Sequence, residues 1–172
     1  MFEGWDDFFL MVGGAAAVLI GLIFVVISLM QDRPRSQVLA GSKLYMGPIV
    51  LGVSFVLVLS AAALTPGIGR CAFSGITAVV ALWGLGRGLI STAGIGRLKE
   101  VHWTDFWFYG VYPCAIYVAL GAVALAFCLN WGWAHYGLAA VITFTLLLAI
   151  RNEWDLITWI TPRAEPGEDE LR

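Results

Sequence analysis

The sequence predicts an all-α protein: a polytopic transmembrane helical bundle of five spans, with its N-terminus outside and its C-terminus in the cytoplasm. Apolar residues make up 60% of the 172, against roughly 45–50% in a typical soluble domain, and the mean hydropathy is +0.84. Only 13% of the residues are charged, and they lie in the gaps between long apolar runs. A soluble core cannot bury this much apolar surface, so most of it must face lipid.

The first apolar run covers residues 8–30. As a helix it would be about 34 Å long, enough to cross the roughly 30 Å hydrocarbon core. Acidic residues precede this run, and no lysine or arginine occurs before Arg33. Because a secretory signal peptide begins with a basic segment, we expect the run to be retained as a membrane anchor.

The second and third runs cover residues 44–65 and 71–90. The second ends at Thr65-Pro66-Gly67, which is typical of a helix stop followed by a tight turn. The connection between the two helices should therefore be short.

The fourth and fifth runs cover residues 106–129 and 131–150. Pro113 should kink the fourth helix early. Only Asn130 separates the two runs, so they must form an antiparallel hairpin. We expect residues 1–160 to form one transmembrane domain and the acidic residues 161–172 to form a disordered cytoplasmic tail.

The basic residues predict the orientation, because loops on the cytoplasmic side carry an excess of lysine and arginine. Five spans leave only Arg70 on the outer side. The other nine of the ten basic residues fall on the inner side: Arg33, Arg35, Lys43, Arg87, Arg97, Lys99, Arg151, Arg163 and Arg172. Tryptophans cluster at both predicted boundaries, where amphipathic rings prefer the headgroups.

Three basic residues at the inner boundary are candidate contacts for lipid phosphate or for a partner protein: Arg87, Arg97 and Lys99. Arg87 is the one ionisable residue inside a predicted span, and intramembrane charge indicates a functional site by default. It lies about 7 Å from the predicted inner end of its helix, so its side chain can reach the headgroups. An ion, a substrate or a partner carboxylate is the alternative contact.

The sequence predicts neither a catalytic site nor a bound cofactor or metal. The pattern GxGR occurs three times, including Gly84 to Arg87, but no predicted strand precedes it as a phosphate-binding loop requires. Ser54 has no histidine at its depth to accept its proton, and His102 and His135 fall at opposite membrane faces. A disulfide between Cys71 and Cys128 is the alternative to two unpaired thiols.

Neutral hydroxyls occupy the predicted membrane interior, among them Ser54 and Thr77. Such groups either hydrogen-bond between packed helices or line a passive pore in an oligomer. Without an Asp, Glu or His at mid-depth, a proton pump or antiporter is disfavoured. Nucleic acid is also excluded as a partner, because the net charge is −2 and the chain offers no basic stripe.

Small residues recur on one face of the first helix: Gly14, Ala17, Gly21 and Ser28. In a bilayer, helices associate by close packing over small residues rather than by hydrophobicity. We therefore expect this stripe to pack either against the rest of the bundle or against a partner. Leu19, Ile23 and Val26, on the opposite side, are expected to face lipid.

The opening WDDFFLMVGGAAAVLIGLIFVVISL and the closing RNEWDLITW resemble the two ends of a group of small bacterial multi-span proteins without an established activity. The resemblance implies a bacterial inner membrane. From the residues themselves we expect a non-enzymatic protein that acts through helix–helix association, as an accessory, assembly or modulatory subunit with a membrane partner or as a homo-oligomer. A small homo-oligomeric channel or permease is the alternative.

Overall fold

The computed structural model describes residues 1–29, 46–96 and 103–160, and all regular structure in these ranges is helical. The short helix Trp103–Phe106 is continued by a π-helical turn, Trp107–Val111, and then by the helix Tyr112–Cys128, so these three elements form one continuous rod. The elements are α1 (Asp6–Leu29), α2 (Gly47–Leu64), α3 (Arg70–Ile95), α4 (Trp103–Phe106), α5 (Tyr112–Cys128) and α6 (Ala134–Ile160).

Within the described residues, five helices are long and apolar enough to cross a membrane, in agreement with the five predicted apolar runs. Two of them extend beyond the predicted apolar runs. The third continues to Ile95 rather than ending near residue 90, and the fifth continues past residue 150 to Ile160. At about 39 and 40 Å, both helices exceed the roughly 30 Å hydrocarbon core. The predicted tail, residues 161–172, lies outside the described residues.

The two short connections have local causes. Between α2 and α3, Thr65 accepts a hydrogen bond from the amide of Ile68 (3.3 Å), with Pro66 and Gly67 between them and Gly67 at φ +72°. This is a type II turn, which requires a positive φ at its third residue. The stop and turn predicted from Thr65-Pro66-Gly67 are confirmed.

The predicted hairpin between α5 and α6 is also confirmed. Asn130 has φ +57°, and its amide donates to the carbonyl of Phe127 (3.2 Å) while that of Trp131 donates to Ala126 (2.9 Å). These two bonds form a Schellman motif, which closes the C-terminus of α5.

The five long helices pack in a ring in the order α1, α2, α3, α5, α6, and α6 returns to contact α1. The ring is collapsed, because α2 also contacts α6. Helices α1, α3 and α6 end, and α2 and α5 begin, at one end of the bundle. We call it the basic end, because Arg87 and Arg151 lie in the half of the bundle nearer to it. The opposite end is called the sealed end.

Aromatic side chains close the sealed end. The Phe2 ring is 5% exposed and makes edge contacts with Phe9, Phe73 and Phe127 at centroid distances of 5.0, 4.7 and 5.7 Å. His135 packs against the same ring at 5.3 Å, and its Nε2 lies 3.0 Å from the carbonyl oxygen of Met1. The chain before α1 is thereby tied to the start of α6.

The inward face of α1 differs from the prediction. Leu19, Ile23 and Val26 are buried, at 9, 5 and 3% exposed, so the expectation that they face lipid was wrong. Close approach to α2 is supplied instead by Gly13, where a Cβ would lie only 3.1 Å from Cβ of Ser60. The run Gly13 to Ala17 is small on every side, so spacing alone could not show which small residues face inward.

The small-residue stripe lies outside the bundle. All four residues, Gly14, Ala17, Gly21 and Ser28, are exposed, and no heavy atom lies within 4 Å of a Cβ built on either glycine. Among the described residues, the stripe therefore packs against no other helix, and its contact with a partner stays a prediction.

Candidate functional site

The tightest contact between two helices joins α3 to α5 over glycines. A Cβ on Gly84 would lie 2.2 Å from Cε1 of Tyr117, and one on Gly88 would lie 3.0 Å from Sγ of Cys114. The GxGR segment ending at Arg87 lies inside α3, so it is not a phosphate-binding loop. Its glycines allow the Tyr117 ring to lie directly against the helix backbone.

A cleft of about 590 Å³ opens beside this contact. It lies in the half of the bundle nearer the basic end, between the start of α2, the second half of α3 and the start of α5. Its lining includes Pro48, Leu51, Arg87, Ser91, Pro113 and Tyr117. The volume falls within the range of small-molecule sites, about 300–1,000 Å³.

Arg87 is the charged residue of this cleft. Its side chain is exposed, and it lies about 26 Å along α3 from Arg70. Within the described residues it has no hydrogen bond or ion pair. A guanidinium with five free N–H donors at this depth can bind a phosphate or carboxylate, or extend to the headgroups.

A polar network lies at the basic end, where α6 packs against the π-helical turn. The hydroxyl of Tyr109 lies 3.1 Å from the carbonyl oxygen of Asn152 and 3.2 Å from Oδ2 of Asp155. Asn152 donates from Nδ2 to the carbonyl of Phe108 (3.3 Å) and accepts from Nη1 of Arg151 (3.1 Å). The guanidinium carbon of Arg151 lies 3.4 Å from the centroid of the Phe108 ring.

The network has a local backbone origin. Tyr112 donates its amide to the carbonyl of Trp107, five residues earlier, and Pro113, which has no N–H, follows directly. Some carbonyls of the turn therefore lack a regular helical partner, and Asn152 satisfies that of Phe108. The irregularity expected at Pro113 thus takes the form of a π-helical turn.

A small cavity of about 30 Å³ lies between α2, α5 and α6, and its lining includes Tyr117, Thr145 and Asn152. This volume is enough for a water molecule. Glu153, the residue after Asn152, is 5% exposed, and its buried Oε1 has no hydrogen-bond partner among the described residues. A carboxylate in this position is costly unless it is protonated or paired.

The other predicted site residues are not brought together. Thr77 is fully buried and donates to the carbonyl of Phe73 in its own helix (2.8 Å), the usual arrangement of a packing hydroxyl. Ser54 is half-buried. Neither residue lines the Arg87 cleft or the small cavity. Arg97 and Lys99 lie outside the described residues.

The cysteines and histidines offer no shared site in the described ranges. Cys71, Cys114 and Cys128 are free, and Cys71 and Cys128 are exposed. His135 belongs to the sealed end, and His102 lies outside the described residues. Across residues 1–29, 46–96 and 103–160, no group of three or more His, Cys, Asp or Glu could hold a metal ion.

Comparison with known proteins assigns no family. The chain matches no protein-family model, no curated protein and no solved structure. The resemblance of its two ends to small bacterial membrane proteins stays a prediction.

The network around Asn152 was missed because the fifth span was expected to end at residue 150. A signal for it exists in the sequence. The buried positions of α6 include Ile142, Leu146 and Ala149, and the same helical spacing continues to Asn152 and Glu153. Polar residues in phase with an apolar stripe indicate buried polar groups rather than a loop.

Proposed function

We propose that this protein is a non-enzymatic integral membrane protein that acts by helix–helix association. It would serve as an accessory, assembly or modulatory subunit, with its first helix bound to another membrane protein or to a second copy of itself. We further propose that it resides in a bacterial inner membrane with its N-terminus outside and its C-terminus in the cytoplasm. The distribution of basic residues supports this orientation.

The observation that carries the proposal is the outward small-residue stripe of α1. Gly14 and Gly21 have open space around them, and the stripe extends about 21 Å from Gly14 to Ser28. Because Gly13 already supplies close packing within the chain, the exposed stripe is not needed for the fold. In lipid, a surface that lets another backbone approach closely favours association.

The test is whether the stripe holds a complex together. The full chain is purified in mild detergent, and its mass and composition are measured by light scattering and mass spectrometry. We expect Gly21→Leu to keep the thermal stability of the parent while the complex is lost. Ala15→Leu is the matched control, because Ala15 is exposed but lies off the stripe.

Gly13→Leu completes the test because it disrupts the contact between α1 and α2 inside the chain. It should lower stability through overlap with Ser60, whatever happens to the complex, since overpacking costs about 1–3 kcal/mol. A complex that survives both Gly14→Leu and Gly21→Leu, or a chain that purifies only as a monomer, would refute association through this stripe.

The Arg87 cleft supports a second candidate, a small homo-oligomeric channel or permease. A cleft of about 590 Å³ beside an unpaired arginine could receive an anion. Flux into liposomes that contain the purified protein separates the two candidates. Selective anion flux that Arg87→Gln abolishes would favour transport, and no flux above protein-free liposomes would favour association.

A further inference from the structure

A second groove, on the outer surface between α5 and α6, has the form of a site for one lipid chain. Its volume is about 510 Å³. Small side chains on α5, Ala115 and Ala119, give the groove its depth, while Phe144 and Leu147 of α6 form a wall and are 64 and 56% exposed. Arg151 is the one charged residue in the lining of the groove.

The groove has the length of one bilayer leaflet. Along α6 its lining runs from Val141 to Arg151, about 15 Å, which is half of the roughly 30 Å hydrocarbon core. Arg151 lies about 26 Å from the start of α6 at Ala134, the depth of a headgroup boundary. An acyl chain in the groove would therefore reach from the boundary to the middle of the bilayer.

Two contacts hold the side chain of Arg151 in place. Its guanidinium stacks on Phe108 and donates one hydrogen bond to Asn152. Of its five N–H donors, the other four have no partner among the described residues. Two acids follow Arg151 on α6: Glu153, which is buried, and Asp155, which accepts a hydrogen bond from Tyr109. Neither forms an ion pair with Arg151 in the described part of the chain.

From this juxtaposition we propose that the groove binds a glycerophospholipid, with one acyl chain along Ala115 and Ala119 and the phosphate on Arg151. Planar guanidinium groups bind phosphate through two parallel hydrogen bonds, and basic sites between transmembrane helices recognise lipid headgroups. The proposal requires only that the helices lie in a bilayer, so it does not depend on the partner bound by α1.

Lipid binding to the full chain in detergent can be measured by native mass spectrometry, with phosphatidylglycerol and a diacylglycerol of the same chains as probes. We expect phosphatidylglycerol to be retained and the diacylglycerol, which lacks the phosphate, to be lost. Arg151→Gln should weaken phosphatidylglycerol binding about tenfold or more. Arg70→Gln removes an equal charge at the sealed end and should leave binding unchanged.

The apolar part of the site has its own pair of variants. Ala119→Phe fills the groove and should reduce binding as strongly as Arg151→Gln, without touching the polar network. Val118→Phe is the control, since Val118 is 60% exposed but does not line the groove. Thermal melts show whether each variant is folded. If Arg151→Gln does not fold, Ala119→Phe still tests the proposal.

Three results would overturn the proposal. Equal retention of phosphatidylglycerol and diacylglycerol would show that the site does not recognise the phosphate. Competition by inorganic phosphate at matched concentration would make it a free-anion site rather than a lipid site. A photocrosslinking residue placed at Phe144 should capture lipid in the membrane, and capture of a protein instead would show that a partner helix fills the groove.

Discussion

Substitution of Gly84 by alanine tests the contact on which the α3–α5 pair depends. The new Cβ would lie 2.2, 2.4 and 2.6 Å from Cε1, Cδ1 and Cζ of Tyr117, whereas carbon atoms pack best at about 3.5–4.0 Å. The ring must therefore move by more than about 1 Å. It is 6% exposed and packs against Phe55 at a centroid distance of 6.0 Å, so a move into the Arg87 cleft would break existing contacts.

The expected cost follows from two opposing effects. Overpacking a core costs about 1–3 kcal/mol, and alanine regains up to about 1 kcal/mol of helix propensity over glycine. We expect Gly84→Ala to lower the free energy of unfolding by about 1–2 kcal/mol. For a chain of this size, this corresponds to a fall in Tm of about 2–8 °C in a detergent melt.

Gly86→Ala is the matched control, because no heavy atom lies within 4 Å of a Cβ there. Gly86 is on the same helix, and its substitution should leave Tm unchanged or raise it. In the double variant Gly84→Ala/Tyr117→Ala, the cost of the first change should largely disappear, giving a coupling of about 0.5–3 kcal/mol. Equal melting of Gly84→Ala and Gly86→Ala would refute the packing of Tyr117 against Gly84.

Three further changes test local features, each by thermal or denaturant unfolding. Ser60→Ala should be neutral or stabilising, because the buried hydroxyl of Ser60 has no hydrogen-bond partner within the described part of the chain and such a group costs about 1–3 kcal/mol. Clear destabilisation would contradict its unpaired state. Gly67→Ala should cost about 1–2 kcal/mol, since it forces a side chain to φ +72°, whereas Gly69→Ala, at φ −77°, should not. Asn152→Ala should cost about 1–3 kcal/mol and speed amide hydrogen exchange at Trp107–Val111; unchanged exchange there would argue against its support of the π-helical turn.

Composition and helix-stop residues predicted the number of helices and the connections between them because each is a local property. An apolar run about 20 residues long must become a helix in lipid, where every backbone group needs an internal partner. Gly67 and Asn130 then determine turns through their own backbone conformations. None of these effects depends on which helices are neighbours.

Helix facing could not be predicted in the same way. In a soluble protein, polar residues mark the outer face, but in a bilayer both faces of α1 are apolar. Gly13 and Gly14 are adjacent and chemically identical, yet one packs against Ser60 and the other has open space around it. That difference is set by the crossing of α1 and α2, which no local pattern encodes.

The candidate site was predicted only in part. Arg87 stood out because intramembrane charge is rare, but the cleft beside it depends on glycines of one helix meeting the ring of Tyr117 from another. Arg151 was assigned to the inner boundary only as one of many basic residues. Its stacking on Phe108 depends on the π-helical turn, which Pro113 could suggest but not specify.

We propose that five helices cross the membrane, with the turn between α5 and α6 outside and the C-terminus in the cytoplasm. Labelling of single cysteines with a membrane-impermeant maleimide tests it most directly, in a chain from which Cys71, Cys114 and Cys128 have been removed. Gly132→Cys, in the exposed turn, should react in intact bacterial cells, and a cysteine added after Arg172 should react only after the cells are permeabilised. Labelling of the C-terminal cysteine in intact cells, with Gly132→Cys protected, would contradict the account.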